Sequence, residues 1–226
     1  MGWSLCSIFI RYAAPMTLDH APSGRPRRGF RARRGELPWT EQLTMDDGRS
    51  FVVRPIEPAD APVLAEVFHL LTPEEVRYRF LHPVKELTPA MLKQLTEIDR
   101  RHAIALVVAE AGAAGTALIG AVGRAATVKG TRDAEFGIVV GRPLAGRGLG
   151  RHLLKRLLHW ARLKRLETLY GTVLADNAPM LDLATRLGFS REHVSGEPGL
   201  MRVAMRLPPR RTPAAPARGQ ESSKKK

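Results

Sequence analysis

The sequence predicts a mixed α/β (α+β) fold, a mostly antiparallel central sheet of about seven strands flanked by helices. Three observations carry this. Phe136-Gly137-Ile138-Val139-Val140 is a short apolar run, residues 142–150 are rich in glycine, and residues 151–165 continue a helical spacing of Leu149, Leu153, Leu157 and Leu154, Leu158, Ala161. A strand therefore feeds a tight turn, and the turn opens an amphipathic helix. Elsewhere, strand-like runs and helix-like segments follow in the order βαα-βββ-α-β-α-ββ, which folds as a sheet with helices packed on it. At 226 residues and 44% hydrophobic, the chain is large enough for one domain with its own core.

The elements read in order as follows. Residues 50–56 alternate and form a strand. Residues 58–71 form a helix with Pro58 in its first turn, where a missing N–H costs least. Two more helical segments cover 73–81 and 89–98. Residues 102–109 are an apolar strand, 112–115 a glycine turn, 116–128 a second strand and 134–140 a third. After the glycine turn and its helix come a strand over 166–174, a helix over 179–187, and strands near 189–194 and 200–206. Nothing before residue 48 carries a folded pattern. The expected domain is 48–207, between disordered basic tails at 1–47 and 208–226 that are rich in Pro, Gly, Ser and charge.

The glycine turn is the segment that carries chemistry. A helix N-terminus exposes unpaired amides at the positive end of its dipole, and glycines let a ligand approach the main chain. That combination suits a phosphate or pyrophosphate. No Gly-x-x-x-x-Gly-Lys-Ser/Thr occurs, so the turn is not that of a kinase or ATPase. Gly146, Gly148 and Gly150 lack the Gly-x-Gly-x-x-Gly spacing of dinucleotide folds, although Asp176 ends the next strand.

The turn resembles the pyrophosphate loop of the GNAT superfamily of acyl-CoA-dependent N-acyltransferases, Gln/Arg-x-x-Gly-x-Gly/Ala. Aligning its glycines on Gly148 and Gly150 places its first position at Ala145, a departure from the pattern, with Arg142 and Arg147 nearby as substitutes. Asn177-Ala178-Pro179-Met180, followed by Leu187-Gly188-Phe189, resembles a second segment of the family, and residues 53–61 resemble its opening strand and helix. Residues 72–80, Leu95 to Asp99 with Arg101 and His102, and Ala134-Glu135-Phe136 are similar to the catalytic domain of bacterial Pat-type protein lysine acetyltransferases. The resemblance covers roughly residues 48–207.

The resemblance implies acetyl-CoA as cosubstrate and an amine, a protein lysine or a small amine, as acceptor. It implies that Glu135 is the base that deprotonates the acceptor; pairing with Arg124 or Arg132 is the structural alternative. It places the oxyanion at a backbone N–H of Val139 or Val140. The pyrophosphate falls to the amides of Gly146, Gly148, Leu149 and Gly150 and to the side chains of Arg147 and Arg151, with Arg142 nearby. Asn177, beside Met180, is the pantetheine contact of the family and equally a helix N-cap. Many relatives carry a Tyr acid after the Asn segment. None follows Asn177 here, and Tyr170 lies on a strand. Glu57, Glu74 and Glu75 are candidate liners for a cationic acceptor. A lysine amine, with a pKa of about 10.4, needs a base near neutral pH.

Composition bounds the rest. The net charge is +14, but residues 1–45 hold seven Arg against three acids and residues 208–226 hold six Lys/Arg against one Glu. The basicity belongs mainly to the tails, where anionic partners would bind nonspecifically. An acyl-CoA-binding module that docks through these tails without catalysis is the alternative reading. No run of about 18 apolar residues is present, so no membrane-spanning helix is expected; residues 3–10 are too short and lack a cleavage signal. The single Cys6 suits a reducing cytoplasm and, lying in a tail, argues for direct transfer in a ternary complex over an acyl-cysteine route. His82, His102, His152, His159 and His193 show no metal-ligand spacing, so no metal is expected. Oligomeric state and acyl-chain preference leave no mark in the sequence.

Overall fold

The computed structural model of the protein describes residues 10–11, 30–34 and 39–208; the rest of the two basic tails, including the expected disorder there and Cys6, lies outside the described residues. The chain runs β1 (Ile10–Arg11), β2 (Phe30–Arg34), β3 (Glu41–Met45), β4 (Ser50–Pro55), α1 (Ala61–His69), α2 (Pro73–Phe80), α3 (Pro89–Thr96), β5 (Ala103–Glu110), β6 (Ile119–Thr127), β7 (Asp133–Val140), α4 (Leu149–Leu163), β8 (Thr168–Leu174), α5 (Ala178–Arg186), β9 (Ser190–Val194) and β10 (Glu197–Arg206). The strands join in the order β2-β3-β4-β5-β6-β7-β8-β10-β9. Every pair in that order is antiparallel except β7 and β8, and β1, off the path, pairs with β7 in parallel. Mixed, mostly antiparallel and flanked by helices, this is the predicted class.

The domain boundary needs correction. Folded structure starts before residue 48: β3 pairs with β4, and its burial alternates, with Glu41, Leu43 and Met45 inside. Asp47-Gly48 is the turn between them. Gly48 has φ +84°, a left-handed conformation that glycine adopts without cost. The expected helix over 58–71 is also divided. Pro58–Asp60 is a single 3₁₀ turn, and the α-helix begins at Ala61. The break serves Asp60, whose side chain is fully buried and chelates the Arg54 guanidinium at 2.7 and 2.8 Å. Its oxygens also accept the amides of Glu57 and Gly115, at 2.9 and 3.1 Å.

Two apolar clusters cover the two faces of the sheet. On one face α4 and α5 bury Leu153, Leu157, Leu181 and Ala184 against Phe136, Ile138, Leu169 and Val173. On the other, α1–α3 bury Leu64, Phe68, Phe80 and Leu95 against Val107, Val122 and Val139. β5 lies between both, and this explains its unbroken apolar run. α4 alone buries five leucines and Trp160, each contributing about 1.5–3 kcal/mol. It seats closely because β6 offers Gly123: a Cβ there would stand 3.2 Å from Leu153 Cβ. This packing holds the start of α4 over the end of β7.

Candidate active site

β7 ends at Val140, and a 3₁₀ turn over Arg142–Leu144 leads into Gly146 and Gly148. Both glycines are left-handed, with φ +70° and +87°, and Gly148 is the N-cap of α4. The first bond into the helix is from His152 N–H to the Gly148 carbonyl, at 3.0 Å. The amides of Leu149, Gly150 and Arg151 therefore have no intrahelical acceptor and face the turn. The Leu149 side chain is in the core, so it offers only its amide. Arg142 and Arg151 are exposed at the rim. Arg147 turns toward the β3–β4 hairpin, where its Nη1 donates to Asp47 Oδ2 at 2.6 Å.

Next to the turn, β7 and β8 pair in parallel at only three positions: Asp133 with Thr168, Ala134 with Leu169, Glu135 with Tyr170. Past Glu135 no further pair forms, although β7 runs on to Val140 and β8 to Leu174. The strands thus separate at Glu135, freeing the edge of β7 at Gly137, Ile138, Val139 and Val140. β1 lies along part of that edge, Ile10 opposite Ile138 and Arg11 opposite Val139. Splitting a parallel pair under a helix N-terminus makes a crevice where ligands of open sheets bind.

Glu135 sits at the apex of the split, 5% exposed, with Oε1 accepting the Thr172 hydroxyl at 3.2 Å. Of the two arginines considered as its structural partners, Arg132 is taken by Glu167 at 3.0 Å and by the Arg165 carbonyl. Arg124, the other, lies on the neighbouring strand opposite Gly137, and its Nη1 donates to the Gln94 carbonyl at 2.9 Å. Beside Glu135 lies Tyr170, with the Arg202 guanidinium 3.9 Å from its ring centroid. Thr172 and Arg202, paired across β8 and β10, were missed by sequence reading. Their only signal is register, which a single chain does not show.

At the end of β8, Asn177 is 2% exposed. Its Oδ1 accepts the Met180 amide at 3.1 Å and caps α5. Its Nδ2 is buried and has no hydrogen-bond partner among the described residues. An orphaned donor of this kind costs about 1–3 kcal/mol unless a ligand oxygen meets it. The cap and the ligand contact, both expected from the sequence, are compatible because they use different atoms. Met180 has its side chain in the core and its amide bonded to Asn177. Of the candidate acceptor liners, Glu57 is exposed before the 3₁₀ turn, while the side chains of Glu74 and Glu75 lie outside the described residues.

Two surface clefts, of about 350 and 660 Å³, open at the other ends of the strands. Neither includes the turn, Glu135 or Asn177, so the site is located by backbone geometry and not by cavity size. Among the described residues no group of three or more His, Cys, Asp or Glu is arranged to hold a metal. Nor is any helix there long and apolar enough to cross a membrane.

A family model for the GNAT acetyltransferase domain matches residues 50–190, more than half of the chain. This chain belongs to the GNAT acetyltransferases. The acetyltransferase PA5475 of Pseudomonas aeruginosa is 30% identical over 151 residues, 67% of this chain and 80% of that protein. The crystallised GNAT domain of S. lividans PAT superposes with a TM-score of 0.66 at 24% identity, over 76% of this chain and all of that domain. The yncA protein of Salmonella typhimurium, solved with its cofactor acetyl-CoA, shares the fold with a TM-score of 0.55 at 19% identity, over 73% of this chain and 98% of its own. Family membership makes this GNAT protein an acyltransferase that draws its acyl group from acetyl-CoA. Its residues fit that molecule: open helix amides for pyrophosphate, and the unpartnered Asn177 donor for the amide-bearing arm.

Proposed function

We propose that the protein is an N-acetyltransferase that acetylates an amine, with a protein lysine as the acceptor class, by direct attack in a ternary complex. One observation carries this reading. The carboxylate of Glu135 stands at the point where β7 and β8 part, β7 running on from there toward the exposed start of α4 and β8 toward the orphaned donor of Asn177. The thioester supplies an already activated acetyl carbon. The turn amides and Asn177 hold the cosubstrate. Glu135 removes a proton from the ammonium of the acceptor and returns the amine to its nucleophilic form. The new N–C bond then forms as the C–S bond breaks, and the departing thiolate collects the proton given up by the amine. A main-chain N–H near the end of β7, at Val139 or Val140, donates to the oxygen on which charge develops. Thr172 keeps the carboxylate of Glu135 in place. The acceptor preference rests on the Pat-like motifs around residues 72–80, 95–102 and 134–136.

The test combines calorimetry and transfer assays. Acetyl-CoA should bind the native protein and fail to bind Gly148→Glu, whose carboxylate blocks the turn amides and repels pyrophosphate. Glu135→Gln should keep acetyl-CoA affinity and lose acetylation of a lysine peptide by about 10²–10⁴-fold. Retained transfer would remove Glu135 as the base. Native protein that binds acetyl-CoA yet acetylates no amine would favour a non-catalytic binding module.

A further inference from the structure

Acetyl-CoA carries more phosphate than the turn can serve. The amides at the start of α4 match its pyrophosphate, but the 3′-phosphate of its ribose is a separate monoester with a charge of about −1.5 to −2 near neutral pH. The β3–β4 hairpin supplies cations beside the turn. At its tip, Asp47 Oδ2 accepts three guanidinium N–H groups: Arg49 Nε at 3.0 Å, Arg49 Nη2 at 2.9 Å and Arg147 Nη1 at 2.6 Å. Asp47 Oδ1 accepts the Arg49 amide at 3.1 Å, which sets the carboxylate across the turn. The Arg49 guanidinium also lies 5.7 Å from the centroid of the Phe51 ring, which limits its freedom. Two arginines thus converge on one oxygen of one monoanion, a cluster with net positive charge, and all three side chains are one-third to one-half exposed. Arg147 belongs to the glycine turn and Arg49 to a hairpin about a hundred residues earlier, so the cluster ties the two together at the mouth of the crevice.

We infer that Arg49 and Arg147 form the subsite for the 3′-phosphate of acetyl-CoA, with Asp47 holding the two guanidinium groups together and competing with the phosphate for them. The inference rests on the acyl-CoA reading above. Forked guanidinium donors match a phosphate's oxygens, and a dianion neutralises the pair where Asp47 leaves a positive excess. Asp47 keeps the arginines preorganised when no ligand is bound, lowering the ordering cost of binding. It also sets the affinity, because the phosphate must draw Arg147 away from a 2.6 Å contact.

The experiment is calorimetry of the full chain with CoA and with 3′-dephospho-CoA at one ionic strength. The native protein should prefer CoA by about tenfold, the effect of one charge-assisted contact. Arg49→Gln should abolish that preference and leave dephospho-CoA affinity unchanged. Asp47→Asn keeps an acceptor for the Arg49 amide but removes the competing charge, and should tighten CoA several-fold without affecting dephospho-CoA. Arg101→Gln, an exposed arginine at the opposite end of the strands, is the control for general electrostatics and should leave the ratio intact. Equal affinity of the native protein for both ligands would overturn the subsite while leaving the acyl-CoA site standing. So would equal weakening of both ligands by Arg49→Gln. If the native protein binds neither ligand, the acyl-CoA reading falls and the subsite with it.

Discussion

Asn177 uses the two ends of one amide differently, and the two can be separated. Asn177→Ala removes both the cap and the donor; it should cost about 1 kcal/mol of stability and weaken acetyl-CoA binding. Asn177→Ser keeps a capping oxygen and lacks the Nδ2 donor. Urea unfolding should place it close to the native protein, while calorimetry should place its acetyl-CoA affinity with that of the Ala variant. If Ser restored affinity along with stability, the orphaned donor would have no part in binding. Sequence pointed to Asn177 through its segment, but only the packed structure reveals that one end of its amide is satisfied and the other is not. Leu149 and Met180 show the reverse case. They lie inside recognisable motifs, yet their side chains belong to the core.

At the scale of elements, two polar brackets hold strands to their neighbours. Arg54 and Asp60 pair across the break before α1. Burial opposes ionisation of Asp60, but Arg54 and the amides of Glu57 and Gly115 outweigh it and keep its carboxyl below the usual 3.8. The stability that this carboxylate contributes is present above that value and lost as pH falls through its lower folded value. Asp60→Ala should cost about 3–5 kcal/mol, because it leaves a largely buried guanidinium without its counter-charge; urea midpoints near neutral pH measure this. The second bracket pins β3 to α4. Glu41 Oε2 lies 2.8 Å from His152 Nε2 and 3.2 Å from Arg156 Nη1. Burial pushes His152 below its ordinary 6.5, and the Glu41 carboxylate only partly restores it. A depressed histidine stays neutral in the folded protein while the unfolded chain takes up a proton. Stability should therefore decline as pH drops below 6.5 toward the folded value. Unfolding midpoints between about pH 7.5 and about pH 5.5 should fall more steeply for the native protein than for His152→Gln; equal slopes would show that His152 titrates normally.

For the whole molecule, the edge of β7 freed at Glu135 is shared ground. β1 pairs there with Ile138 and Val139, and so reaches Val139, one of the two positions proposed to offer a main-chain N–H to the acyl group. A chain beginning at Met16 lacks that strand and should show a lower KM for acetyl-CoA with kcat unchanged; an unchanged KM would mean that β1 does not compete. Much of this architecture was legible beforehand. The apolar run of residues 136–140, the glycines of the turn and the helical leucines after it are local patterns, and each element formed where its pattern lay. The hairpin of β3 and β4 was missed even though Asp47-Gly48 stands between the alternating pairs Leu43, Met45 and Phe51, Val53, a turn signal hidden at the margin of a basic tail.

Local periodicity and turn chemistry established the order of elements, the fold class and the place of the glycine turn, because backbone conformation over a few residues depends on neighbours in the chain. Contacts between distant segments follow from packing and register instead. The parting of β7 from β8 at Glu135, the Thr172 bond to that carboxylate, the unmet Asn177 donor and the meeting of Arg49 with Arg147 on Asp47 each join residues far apart in sequence. Only a sheet closed in one register, with α4 seated on Gly123, brings them together.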